Sequence, residues 1–193
     1  IAIVLLLWNL MGLAAFAMQY TADLTELAKS DPVTAQAFAA RSMVLSPLLG
    51  GGFVTATMPL LIVQVGVLPM LAELKQRQHW LAVATGKSRR GLDACLQAVE
   101  LRDLFDASRT ADETAGKPHP RMLQELMAEF GVEPARVLMI GDTTHDLQMA
   151  LNAGCASVAV SYGAHAPDAF GALRPHHVAH SVAELHAWLR DNG

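Results

Sequence analysis

Two aspartates, Asp142 and Asp146 in MIGDTTHDLQMA (139–150), follow an apolar run and a glycine and enter what reads as the first turn of a helix. Carboxylates at that spacing can hold a divalent cation. Taken singly, each has a plainer use, a helix cap at 142 and a helix-dipole partner at 146. A second polar group is Thr85-Gly86-Lys87, directly after the apolar WLAVA. A hydroxyl and a free backbone N–H at a strand end can hold phosphate oxygens, helped by the N-terminus of the helix that follows. Alone, a Thr-Gly pair after a strand is more often only a turn. The third is Lys117 in AGKPHP, one ammonium on a backbone stiffened by Pro118 and Pro120. A lone lysine before a helix is usually just solvated.

The elements that must position these groups follow from periodicity. From about residue 64, apolar runs of strand length alternate with amphipathic helical runs, the pattern of a parallel sheet flanked by helices. Helices are expected near 67–77, over 88–101 with Leu92, Cys95, Leu96 and Val99 on one face, from HPRMLQELMAEF to a stop at Gly131, and after Asp142 to a stop at Gly154. Strands are expected at 80–86, 104–108, 136–142 as the central strand, 156–163 and HVAH. Ser181 with Glu184 reads as a capping box for a last helix. In an open parallel sheet, ligands bind beyond the carboxyl ends of the strands, and all three polar groups fall at such ends.

Composition narrows the function classes. The net charge is −4 with scattered basic residues, so the chain has no electrostatic footprint for nucleic acid. Cys95 and Cys155 are far apart and form no CxxC pair, which argues against a disulfide framework or zinc site and fits a reducing cytosol. Hydrophobic residues make up 52% and charged residues only 17%, unevenly distributed. Residues 1–22 and 42–72 carry no charge, and a bilayer span needs about 20 largely apolar residues. The first stretch is the better membrane candidate, because Pro47, Gly50 to Gly52 and Pro59 interrupt the second. The competing reading is a buried strand and helices. If both spanned, Lys75, Arg77, Lys87, Arg89 and Arg90 would keep the C-terminal part cytoplasmic.

In this order and spacing, a strand ending in Thr, a later Lys-Pro and a strand ending in Gly-Asp-x-x-x-Asp resemble the haloacid dehalogenase superfamily. GKPHP and GDTTHDLQMALNAG are most similar to its phosphoglycolate phosphatase-like branch, over about residues 64–193. The resemblance implies an α/β fold, a Rossmann-like parallel sheet with flanking helices. It makes 64–193 the core, preceded by an atypical apolar segment, 1–63, that is either a membrane span or an aberrant replacement of first strand and cap. It implies Mg²⁺-dependent hydrolysis of a phosphoric monoester, with a small phosphorylated metabolite as partner. Thr85 would hydrogen-bond the transferring phosphoryl group beside the Gly86 N–H, and Lys117 would neutralise growing charge. Asp142 would ligate Mg²⁺ directly, and Asp146 would steady the metal's shell or the loop. His119, His145 and Thr143 sit beside these groups, the two histidines as exposed loop residues.

Members of this superfamily carry Asp-x-Asp-Gly-Thr at the end of the first strand, where one aspartate attacks phosphorus and the other is general acid and base. The ten aspartates here are 23, 31, 93, 103, 106, 112, 142, 146, 168 and 191, and no two are separated by a single residue. The formal match, Asn9-Leu10-Met11-Gly12, supplies neither nucleophile nor acid. The implied activity is therefore impaired or absent. Two alternatives remain: a non-catalytic, membrane-anchored phosphate- and metal-binding module, and, with less support, a phosphoacceptor receiver domain, whose first-strand acidic cluster is equally missing.

Overall fold

The computed structural model describes residues 3–6, 66–98 and 101–193. Six parallel strands form one sheet: β1 (Ile3–Leu6), β2 (Trp80–Thr85), β3 (Ala107–Thr110), β4 (Val137–Gly141), β5 (Ala156–Val160) and β6 (His177–Ala179), in the order β3-β2-β1-β4-β5-β6. Among the described residues the α-helices are α1 (Leu68–Gln76), α2 (Arg89–Ala98), α3 (Arg121–Phe130), α4 (Thr144–Ala153) and α5 (Val182–Asn192). This is the α/β architecture expected from the alternating pattern.

Side chains of alternate strand residues serve opposite faces of the sheet. On one face Leu81, Ile140, Val158 and Val160 pack with Met70, Leu71 and Leu74 of α1 and Leu185 and Leu189 of α5. On the other, Ala82, Ala84, Val137 and Met139 pack with Met122, Leu123 and Leu126 of α3 and Met149 and Ala150 of α4. Both faces are covered, which is why the inner strands read as nearly continuous apolar runs. The helix stops fall where expected: Gly131 and Gly154 adopt φ of 65° and 73°, left-handed conformations that cost glycine little, and close α3 and α4.

The first apolar stretch contributes a strand. Ile3–Leu6 lies between β2 and β4, so the sheet draws its centre from the segment 1–63. The rest of that stretch, including Asn9, and residues 42–65 lie outside the described residues. Among the described residues, no helix is long and apolar enough to cross a membrane.

Three local expectations need correction. The strand expected at 104–108 lies at Ala107–Thr110, and Arg102–Leu104 is a short 3₁₀ turn. Asp106 instead exchanges hydrogen bonds with Leu81: its main-chain N–H donates to Leu81 O at 2.7 Å and its Oδ2 accepts from the Leu81 N–H at 2.8 Å. The strand after α4 ends at Val160, short of Gly163. At α5, Ser181 Oγ accepts from the Glu184 N–H at 3.1 Å, but the Glu184 carboxylate accepts from the His180 N–H, one residue before the expected reciprocal donor.

The packing has a direct test. Leu126 is fully buried under β2 and β4, whereas Leu151 on α4 is 58% exposed. Leu126→Ala is expected to lower unfolding free energy by about 3 kcal/mol and Leu151→Ala by less than about 0.5 kcal/mol, measured by urea denaturation.

Candidate functional site

The carboxyl ends of the strands place the sequence's polar groups on one edge. Leu5 of β1 stands opposite both Ala82 and Met139. Thr85 and Asp142 are each three residues further on, so they lie at one level on either side of the line of β1, roughly 10 Å apart at two strand spacings. Both are buried, Thr85 at 3% and Asp142 at 4% exposure. Thr85 Oγ1 accepts from the Lys87 N–H at 3.2 Å, so its hydroxyl hydrogen remains to be donated. Gly86 is exposed, and a Cβ there would meet nothing within 4 Å. The turn therefore presents open backbone at the strand end.

Lys117 arrives from the loop after β3. Its Nζ donates to Asp146 Oδ1 at 2.7 Å, with the lysine side chain 12% and the aspartate 1% exposed. Burial lowers the Lys117 pKa from its ordinary value, and the attraction of Asp146 opposes that shift. The lysine loop is also pinned to α4, where Asn152 Nδ2 donates to Pro118 O at 2.9 Å.

Both carboxylate oxygens of Asp146 are engaged. While Oδ1 takes Lys117, Oδ2 accepts from the Thr143 N–H at 3.1 Å and from Thr143 Oγ1 at 2.8 Å. Thr143 Oγ1 lies 3.3 Å from the Asp146 N–H, which completes a capping box at the start of α4. Thr143, rather than Asp142, is thus the N-cap. Gly141 permits this approach, since a Cβ there would overlap Asp146 Cβ.

Asp142 is the contrasting carboxylate. Its Oδ2 accepts from the Ala164 N–H at 2.9 Å, and no side chain of the described residues donates to it. Burial raises its pKa above the ordinary aspartate value, the Ala164 N–H opposes that, and the nearby Asp146 charge adds to it. A carboxylate so desolvated, with no cation in direct contact, is chemically suited to a hard divalent ion. Among the described residues, no cluster of three or more metal-ligating side chains stands ready. Any ion held here would combine Asp142 with water or with groups outside the described residues.

Several contributing residues escaped sequence reasoning. Thr143 had a readable signal, since Thr-x-x-Asp before an apolar run is a capping pattern. Gly163 also had one, a glycine just past a strand, which marks close backbone approach; a Cβ there would overlap Asp142. Ala164 and His165 had none. His119 and His145 are exposed as expected, although His145 lies on α4 rather than in a loop.

A family model described as haloacid dehalogenase-like hydrolase matches residues 56–160. The chain belongs to the haloacid dehalogenase-like hydrolase family. It is 40% identical over 130 residues to the probable phosphatase IndB of Dickeya dadantii, covering 65% of this chain and 56% of that protein. It is 35% identical over 116 residues to a phosphoglycolate phosphatase of Vibrio vulnificus, covering 60% and 51%. The chain thus spans about half the length of the curated relatives it matches. Among solved structures, a predicted phosphoglycolate phosphatase from Haemophilus somnus superimposes with a TM-score of 0.61 at 28% identity, over 65% of this chain and 56% of that one. A HAD-superfamily hydrolase from Geobacter sulfurreducens gives a TM-score of 0.60 at 21% identity over 98% and 96%, a likeness of fold alone.

Substitutions at Asp142 and Lys117 should act in opposite directions on stability. Because its folded pKa is raised, Asp142 contributes stability at pH below its ordinary value that is lost as pH rises through the raised one. Asp142→Asn, which keeps an acceptor for Ala164, is expected to raise Tm in EDTA at pH 7 by roughly 2–4 °C. Lys117→Met strands a buried carboxylate and should cost about 3 kcal/mol. Differential scanning calorimetry of the three proteins checks both signs.

Proposed function

We propose that this chain is a haloacid dehalogenase-type phosphomonoesterase domain, phosphoglycolate phosphatase-like, that keeps the phosphate- and cation-binding half of the site and lacks the nucleophile. The observation that carries it is the group formed by buried Asp142 and Asp146 with the largely buried Lys117, at the same sheet edge as Thr85. In this reading the Thr85 hydroxyl and the Gly86 N–H hold oxygens of a phosphoryl group on a small phosphorylated metabolite. The Lys117 ammonium, held by Asp146, supplies positive charge beside those oxygens. Asp142 holds Mg²⁺, and Asp146 supports the arrangement through Lys117 and the cap of α4 rather than by direct ligation. When bound, the ion would offset phosphate charge. The division into an N-terminal segment, 1–63, and a core, 64–193, is part of this proposal, with β1 lent to the core.

The sequence that continues β1, Leu7-Trp8-Asn9-Leu10-Met11-Gly12, offers no carboxylate. Loss of a covalent nucleophile commonly costs about 10⁴ to 10⁶ in turnover. The chain is therefore expected to bind Mg²⁺ and inorganic phosphate, both weakened at least tenfold in Asp142→Ala and Lys117→Ala respectively, by isothermal titration. It should hydrolyse para-nitrophenyl phosphate no faster than a no-protein control. Mg²⁺-dependent turnover abolished by Asp142→Ala would show that the nucleophile is supplied after all, and absence of both binding events would remove the reading.

A further inference from the structure

The segment leaving β5 folds back over the end of β4, and three consecutive residues meet it in different ways. Gly163 approaches Asp142 so closely that only a hydrogen fits in place of a side chain. The Ala164 N–H donates to Asp142 Oδ2 at 2.9 Å. His165 makes two contacts, one with Asp142 itself and one with Thr144, two residues further on. Its main-chain N–H donates to Asp142 O at 3.1 Å, while its ring Nδ1 accepts from the Thr144 N–H at 3.1 Å. Thr144 Oγ1 lies 3.3 Å from the same nitrogen.

A backbone amide can only donate, so Nδ1 must present its lone pair and Nε2 carries the hydrogen. Thr144 opens α4, and the first N–H groups of a helix have no intrahelical acceptor. The Thr143–Asp146 capping box occupies the Thr143 and Asp146 N–H groups. The imidazole serves Thr144. A residue 21 positions away in the chain thus completes the helix start and ties it to the loop that grips Asp142. The His145 ring packs edge-on against His165, with centroids 6.0 Å apart, and the His165 side chain is half-buried.

The geometry points to His165 as a positioning residue: its Nδ1 locks the first turn of α4 to the β5 loop and so holds the Asp142 carboxylate at a fixed aim. Its consequence for cation binding rests on the reading of Asp142 proposed above. The ring is assigned no contact with ion or substrate. It acts through Thr144 on one side and through its own main chain on the other. An asparagine at 165 offers Oδ1 at about the reach of Nδ1 and should replace it, whereas alanine cannot.

The experiment compares the full chain with His165→Ala and His165→Asn by two readouts. Mn²⁺ binding is followed through the electron paramagnetic resonance signal of the free ion, and amide exchange of Thr144 and Ala164 is followed by NMR in EDTA. His165→Ala should weaken Mn²⁺ binding about tenfold and speed both amides at least about tenfold, and His165→Asn should recover most of each. Unchanged exchange in His165→Ala overturns the proposal. Equal defects in the alanine and asparagine variants overturn it too, because the Nδ1 acceptor would not be the cause. If the unsubstituted chain binds no Mn²⁺, the cation reading of Asp142 falls, and the exchange rates alone decide whether His165 holds the loop.

Discussion

The largely buried Lys117 and the fully buried Asp146 lie 2.7 Å apart, and much of the candidate site depends on that pair. A single buried charge in that position would be costly, so each offsets the other's charge and holds it in place. The consequence is mechanical as well as electrostatic. Lys117 lies on the loop after β3 and Asp146 in the first turn of α4, so the contact closes one polar cluster over the sheet edge. It also occupies Asp146 Oδ1, and the cap at Thr143 occupies Oδ2. Two carboxylates that look equivalent in sequence are thereby given different work.

Asp142 takes the other part because its surroundings neutralise it less. Among the described residues it receives one backbone N–H from Ala164 and no direct cation, and burial raises its pKa. In the proposed reading a bound cation would offset the stability that such a group costs. The two glycines serve this division. Gly141 lets Asp146 turn back against β4, and Gly163 lets the β5 loop close on Asp142. Neither position leaves room for a methyl group.

Much of the fold was legible because both faces of the sheet are covered. Inner strands must then be apolar throughout, and β2, β4 and β5 announce themselves as WLAVAT, VLMIG and ASVAV. Glycines 131 and 154 ended their helices for a backbone reason that needs no tertiary context. The strand ASRT was misplaced because it lies at the sheet's edge. Its Arg109 points into ion pairs with Glu125 and Glu129 on α3 rather than into an apolar layer, so hydrophobic pattern carried no signal there. Ile3–Leu6 posed the reverse difficulty. An uncharged run suits a bilayer or the middle of a parallel sheet, and pairing with both β2 and β4 selects the sheet.

By itself, the sequence determined the kind and order of the polar groups: a threonine after one strand, a lysine in a proline-framed loop, two aspartates after another strand, and no Asp-x-Asp pair anywhere. Those are properties of residue type and spacing along the chain, and strand periodicity was enough to put each group at a carboxyl end. Only the tertiary structure decided which aspartate has both oxygens engaged and which accepts a single backbone N–H on one of them. Their deciding partners lie 29 residues away at Lys117, 22 at Ala164 and 23 at His165. Hydrogen bonds and ion pairs are directional contacts of under about 3.5 Å, and chain spacing does not encode which distant groups folding brings within that reach.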